Sequence, residues 1–262
     1  MARVIAIANQ KGGVGKTTTS VNLSAALALS GSVVLLVDLD PQGNATMGSG
    51  VDKRNLDLSI YDWLMEDESL ETVAIEGSGG FKVMPGNTDL TAAEVELLNE
   101  DKRTERLSQK LSAAQNIFDY VIIDCPPSLS ILTINALIAS DGVLIPMQCE
   151  YYALEGLTAL LETVERVREE ANKDLMIEGL LRTMYDPRNG LTRDVSRQLM
   201  DYFGEAVFRT VIPRNVRLAE APSHGLPATH YDKGSRGAVA YMALAAELRR
   251  RHMSILYKEK ES

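Results

Sequence analysis

The sequence predicts an α/β protein: a doubly wound, mostly parallel sheet with helices on both faces. Short runs rich in Val, Ile and Leu recur without polar alternation, the pattern of strands covered on both sides. Between them lie longer segments with helical spacing, and strands alternating with helices specify a parallel sheet clothed on both faces. A third observation concerns ligands. The run ending near residue 8 meets a glycine-rich loop and those ending near 37 and 123 meet an Asp, and doubly wound sheets bind ligands beyond the carboxyl ends of their strands.

Residues 3–8 (RVIAIA) read as the first buried strand. A glycine-rich loop follows, then a helix over 16–30 with Gly31 at its C-cap position. Residues 33–37 (VVLLV) form a second strand that closes at Asp38-Leu39-Asp40-Pro41. Residues 55–80 hold weaker helical pieces, including 60–64, and 81–84 form a short strand closed by Pro85-Gly86. Segments 90–98 and 103–114 read as amphipathic helices, and 120–123 (YVII) as a strong strand ending at Asp124-Cys125-Pro126-Pro127. A helix at 132–139, a strand at 142–146, a helix at 154–171 and a strand at 175–184 follow. The chain closes with a helix at 195–203, a strand at 207–212 and an Ala- and Leu-rich helix from 237 to 257. Neither a repeat nor a linker interrupts the pattern, so residues 1–262 are expected to form a single domain.

Composition excludes several classes. Only Cys125 and Cys149 occur, without CxxC spacing, which argues against a disulfide scaffold or a zinc site and suits a reducing cytoplasm. His224, His230 and His252 show no metal spacing either. An apolar run long enough for a transmembrane helix is missing, as is the apolar core of a signal peptide at the N-terminus. The net charge of −9 by itself argues against a nucleic-acid binder. Residues 182–217, however, hold seven arginines against four acids, a net of +3 that leaves −12 on the rest. A basic face on an acidic body is compatible with that asymmetry.

Residues 10–17 read Gln10-Lys11-Gly12-Gly13-Val14-Gly15-Lys16-Thr17, followed by Thr18. The standard phosphate-loop pattern has Gly where Gln10 stands, but the remainder fits, with a strand before and a helix after. Glycines let backbone N–H groups approach phosphate oxygens, and the helix N-terminus adds positive potential. Lys16 would meet the β- and γ-phosphates of ATP, and the Thr17 hydroxyl would ligate Mg2+. Asp38, Asp40 and Asp124 end strands on the same edge. A carboxylate there can hold Mg2+ or orient an attacking water, where it would otherwise read as a turn cap.

The pattern Lys11-Gly12-Gly13-Val14-Gly15-Lys16-Thr17 resembles that of the deviant Walker A P-loop ATPases. Five further stretches are similar to the short ParA/Soj-type partition ATPases: 38–46 (DLDPQGNAT), 124–129 (DCPPSL), 132–137 (LTINAL), 148–157 (QCEYYALEGL) and 212–225 (IPRNVRLAEAPSHG). The resemblance implies that Lys11 reaches across a dimer to the partner's phosphates. It implies that Asp40 serves hydrolysis and, with Thr17 and Asp124, Mg2+, and that Pro213 and Asn215 contact adenine. Asp38 stays open between a structural role and a place near the trans lysine. Arg188, Arg193, Arg197, Arg214 and Arg217 become candidate DNA contacts, the alternative being a solvated face with ordinary ion pairs.

The implied function is an ATP-bound homodimer that binds double-stranded DNA non-specifically. Its slow hydrolysis is stimulated by a ParB/Spo0J-like partner, in the cytoplasm on the nucleoid and without a membrane role. The chain opens directly on its first strand, so it is expected to lack the N-terminal DNA-binding extension of many plasmid relatives. The competing expectation is a MinD-like positioning ATPase. There Arg249, Arg250 and Arg251 beside Met253, Ile255 and Leu256 would form a membrane-surface helix. A metabolic ATPase or kinase is the third class, in which Lys11 would have no special task.

Overall fold

The computed structural model describes residues 2–66, 68–112, 115–151 and 153–261, and for 153–155 and 254–261 the backbone alone. The first half of the chain runs β1 (Arg3–Ile7), α1 (Lys16–Leu29), β2 (Val34–Asp38), α2 (Asn44–Gly48), α3 (Ile60–Met65), α4 (Leu70–Val73), β3 (Ile75–Glu76), β4 (Lys82–Met84), α5 (Leu90–Leu97), α6 (Arg106–Leu111) and β5 (Tyr120–Asp124). The second half runs α7 (Ile131–Ile138), β6 (Gly142–Gln148), α8 (Ala153–Glu170), β7 (Met176–Tyr185), α9 (Gly190–Phe203), β8 (Val207–Pro213), α10 (Val216–Glu220), α11 (Ala228–Tyr231) and α12 (Arg236–Glu261).

The strands form one sheet in the order β3-β4-β2-β5-β1-β6-β7-β8. Every pairing is parallel except β3 with β4, so the predicted doubly wound, mostly parallel sheet is the one observed. β1 lies at the centre, with Ile5 opposite Ile122 of β5 on one side and Gly142 of β6 on the other.

Successive side chains of a strand face opposite ways, and here both ways lead into core. Ile5 and Ile7 pack with Leu36, Ile122 and Leu144 beneath α1 and α12, whose Leu23, Leu27, Leu244 and Leu248 are fully buried. Ala6, Val37 and Ile123 face the other layer, where Trp63, Leu97, Leu107, Leu160 and Leu199 cover them. Two buried faces explain why the strands read as unbroken apolar runs. Among the described residues, no helix is long and apolar enough to cross a membrane.

Several elements differ from expectation. α9 begins at Gly190 rather than 195, because Asn189 caps it: its Oδ1 accepts from Leu191 N at 3.0 Å. The short helices α2, α10 and α11 were not anticipated, and β3 falls in a segment expected to hold helical pieces. The helix expected over 103–114 is confined to Arg106–Leu111, after turns in which Lys102 adopts φ 61°. The end of that expected helix, residues 113 and 114, and the side chains of Ile255 and Leu256 lie outside the described residues.

Candidate functional site

The glycine-rich loop between β1 and α1 is fixed from both ends. Asn9 opens it, donating through Nδ2 to Pro146 O at 2.7 Å and accepting from Lys11 N at 2.9 Å. Gly13 and Gly15 take φ of 74° and 89°, left-handed values at which a Cβ would be strained. Two loop carbonyls are held from outside: Val14 O accepts from Thr183 Oγ1 at 2.7 Å, and Gly13 O from Gln148 Nε2 at 3.3 Å. With Gly15 as its N-cap, α1 has no side-chain cap. Its first-turn N–H groups, from Lys16, Thr17 and Thr18, are therefore available to an anion, as the helix dipole favours. Gly12 is exposed at the loop tip, while Lys16 is buried with its Nζ 3.4 Å from Lys11 O. Burial pushes the Lys16 pKa down, against the pull of Asp124.

Asp38, Asp40 and Asp124 are all buried where β2 and β5 end. Asp124 Oδ1 accepts from Ser20 Oγ at 2.8 Å, and its Oδ2 is buried with no hydrogen-bond partner among the described residues. Desolvation pushes the Asp124 pKa well up and the nearby Asp38 charge adds to this, while the Ser20 and Thr17 hydroxyls oppose it. Asp38 is pushed up as well, chiefly by burial. Its Oδ2 is saturated by Thr46, accepting from N and Oγ1 at 2.7 Å each. These two bonds organise the turn from β2 into α2. Asp40 Oδ1 accepts from Gln42 N at 2.9 Å.

The unpartnered, buried oxygen of Asp124 near Thr17 leaves a carboxylate donor available to a cation. Among the described residues there is no cluster of three or more His, Cys, Asp or Glu able to hold a metal. A hard ion such as Mg2+ fits such a donor set, because it is usually held by one or two carboxylates together with phosphate oxygens and water.

The remaining predicted residues spread around this edge. Lys11 Nζ is 2.7 Å from Glu150 Oε2 of its own chain, just past β6. Pro213 ends β8, and Asn215 caps α10, its Oδ1 accepting from Arg217 N at 3.0 Å. Arg188 is clamped by Asp186 at 2.7 Å, Arg197 lies 3.9 Å from Asp194, and Arg217 pairs with Glu220 and Asp232 at 2.8 and 3.3 Å. Arg193 and Arg214 are exposed and make no ion pair among the described residues. Cys125 and Cys149 are free and buried, and His252 Nε2 lies 2.8 Å from the buried Glu178 carboxylate, a structural contact.

Sequence reasoning missed Ser20, Thr46, Gln148 and Thr183. Ser20 carried a signal, since it stands one helical turn after Lys16 and so shares its face. Thr46 meets Asp38 through the local turn from β2 into α2, and Gln148 and Thr183 reach the loop only through the sheet order.

A family model described as an AAA domain matches residues 2–177. The sporulation initiation inhibitor protein Soj of Bacillus subtilis is 54% identical over 249 residues, 95% of this chain and 98% of that protein. The chromosome partitioning protein ParA of Myxococcus xanthus is 48% identical over 252 residues, 96% of this chain and 89% of the other. Among solved structures, a cobyrinic acid a,c-diamide synthase of Mycobacterium smegmatis with bound ADP and magnesium superposes with a TM-score of 0.85. It is 39% identical and covers 97% of this chain and 96% of that one. With this phosphate loop, this sheet order and such identity over nearly the whole length, the chain belongs to the ParA/Soj family of chromosome-partitioning ATPases.

Proposed function

We propose that this chain is an ATP-dependent dimerising switch. It binds DNA without sequence preference and hydrolyses ATP to drive chromosome or plasmid partitioning with a ParB/Spo0J-like partner. The observation that carries the nucleotide chemistry is the buried, unpartnered Asp124 Oδ2 beside an uncapped helix N-terminus.

The inward N–H groups of residues 12–18 and the Lys16 ammonium bind the phosphates. Thr17, Asp124 and Asp40 would hold Mg2+, which when bound neutralises charge building on the phosphates. Asp40 has one oxygen held by Gln42 N, and its carboxylate would position the attacking water. No strong general base is needed, which suits slow turnover. Lys11 leaves Glu150 to meet the nucleotide of a second copy, so the homodimer forms only when ATP is bound. Pro213 and Asn215, at the end of β8, would border the adenine.

Arg193 and Arg214 are free to meet DNA phosphates, whereas Arg188, Arg197 and Arg217 must exchange carboxylate partners to do so. Few contacts per protomer give weak, salt-sensitive binding, and a dimer doubles them. A partner peptide rich in Lys or Arg would suit the acidic remainder of the surface. Such a protein would sit in the cytoplasm on the nucleoid, with no membrane role.

The test is DNA binding with ATP, ADP or no nucleotide at two salt concentrations, with Asp40→Ala to block hydrolysis. Binding that requires ATP, weakens with salt and strengthens in the variant is expected. Losing Arg193 should flatten the log-affinity against log-salt slope by about one contact. Failure to bind under any nucleotide would remove DNA from the proposal.

A further inference from the structure

The end of β7 touches the phosphate loop on one side and the arginine-bearing helix α9 on the other. Thr183 is 3% exposed, and its hydroxyl donates to Val14 O at 2.7 Å, the sheet-side anchor of the loop. A carbonyl held outward turns the neighbouring peptide N–H groups the other way, toward the phosphate side. The residue before Thr183 is Arg182, buried at 6% exposure. It donates through Nη1 to Ser196 Oγ of α9 at 2.8 Å and through Nη2 to Phe208 O of β8 at 2.8 Å.

The residue after it, Met184, has φ 47°, a left-handed value that is strained for a side chain of its kind. Beyond Tyr185, Asp186 chelates Arg188, accepting from Nε at 2.9 Å and Nη2 at 2.7 Å, and Asn189 then caps α9. Residues 182–189 thus link the phosphate loop at one end to the start of α9, with Arg188 and Arg193, at the other. Strained residues held between two fixed contacts are typical of switch segments.

From this geometry we infer that the Thr183 hydroxyl is a positioning group. It sets the phosphate loop for nucleotide and carries the loop's state to the N-terminal end of α9, so that nucleotide is coupled to the arginines within each protomer. The DNA half of the inference rests on the function proposed above, whereas the coupling of loop to helix does not.

Thr183→Val keeps the branched shape and removes only the hydroxyl, while Thr183→Ser keeps the hydroxyl. Binding of a non-hydrolysable ATP analogue with Mg2+ and hydrogen exchange of residues 184–193 would be measured on the full chain. Melting without nucleotide would confirm that each variant is folded. Leaving Val14 O without its donor should weaken analogue binding about tenfold in Thr183→Val, with Thr183→Ser within about twofold of the parent. The analogue should protect 184–193 in the parent and in Thr183→Ser, and should lose that effect in Thr183→Val even when saturating.

Parental affinity in Thr183→Val, a Thr183→Ser variant as weak as Thr183→Val, or a parent whose 184–193 amides ignore nucleotide would each overturn the inference. DNA binding at saturating analogue separates the two proposals. If the parent binds DNA and Thr183→Val binds it equally well, the coupling to the arginines is wrong and the DNA-binding function stands. If the parent never binds DNA, that function falls, and the exchange data alone decide the coupling of loop to helix.

Discussion

Asp124 is a stability liability in the nucleotide-free protein, and Asp124→Asn should remove it. The carboxyl is fully buried beside Asp38 and Asp40, and burial with like charge holds its pKa above the ordinary carboxylate range. The folded state therefore keeps a proton that the unfolded chain has already released. The stabilisation from that proton is complete below the unfolded pKa and is lost as pH rises through the raised folded value. Each pH unit within that window costs about 1.4 kcal/mol, so two units cost about 3 kcal/mol. For a chain of this size that corresponds to roughly 6–12 °C in melting temperature.

Asparagine keeps the acceptor for Ser20 Oγ and, carrying no charge, is free of the repulsion from Asp38 and Asp40. In EDTA, the parent should lose melting temperature from pH 6 to 8, and the variant should lose much less, retaining only the smaller Asp38 contribution. Adding Mg2+ and ATP should raise the parent and leave the variant almost unmoved. Equal pH slopes for the two proteins in EDTA would refute the argument that Asp124 is buried under charge stress.

Glu150→Gln should free Lys11 from an exposed pair that contributes about 0.2–1 kcal/mol. Both protomers lose the pair, so ATP-dependent dimerisation, followed by sedimentation in an Asp40→Ala background, should tighten by up to about thirtyfold, and an unchanged or weaker dimer would show that the pair does not hold Lys11 back. At Gly86, an added Cβ would run into the Asp38 carbonyl oxygen, backbone that cannot swing aside. Gly86→Ala should therefore destabilise by about 2–3 kcal/mol in urea titrations, and a parental midpoint would mean that the turn after β4 yields more easily than its packing indicates.

The strands were legible because the sheet is buried on both faces, so that 33–37 or 120–123 could only be buried strand or buried helix and their lengths decided. The phosphate loop was legible because its glycines and lysine act over a few consecutive residues. What escaped was either too short for periodicity or assembled at a distance. α10 exists because Asn215 caps it and α11 is a single turn, lengths at which no apolar stripe develops. Thr183, Gln148 and Glu150 approach the loop only because β6 and β7 follow β1 in the sheet, an ordering that no local pattern encodes. The arginine window was visible as composition, but the clamps by Asp186, Glu220 and Asp232 were not, and they separate the free cations from the paired ones.

The position of β1 has a consequence for biosynthesis. It precedes every other strand of the sheet in chain order, yet its two neighbours are β5 and β6, with Val4 waiting for Val121 and Ile7 for Leu144. Until those segments emerge, an apolar ribbon with two open edges has no place to dock, and the closure entropy of a long loop delays its capture. The nascent chain therefore carries this apolar strand unpaired until β5 and β6 emerge, which makes a holding chaperone useful during synthesis. A truncated product stopping short of β6 would lack both the Pro146 anchor of Asn9 and the Gln148 tether, leaving the phosphate loop with only its local bonds to shape it.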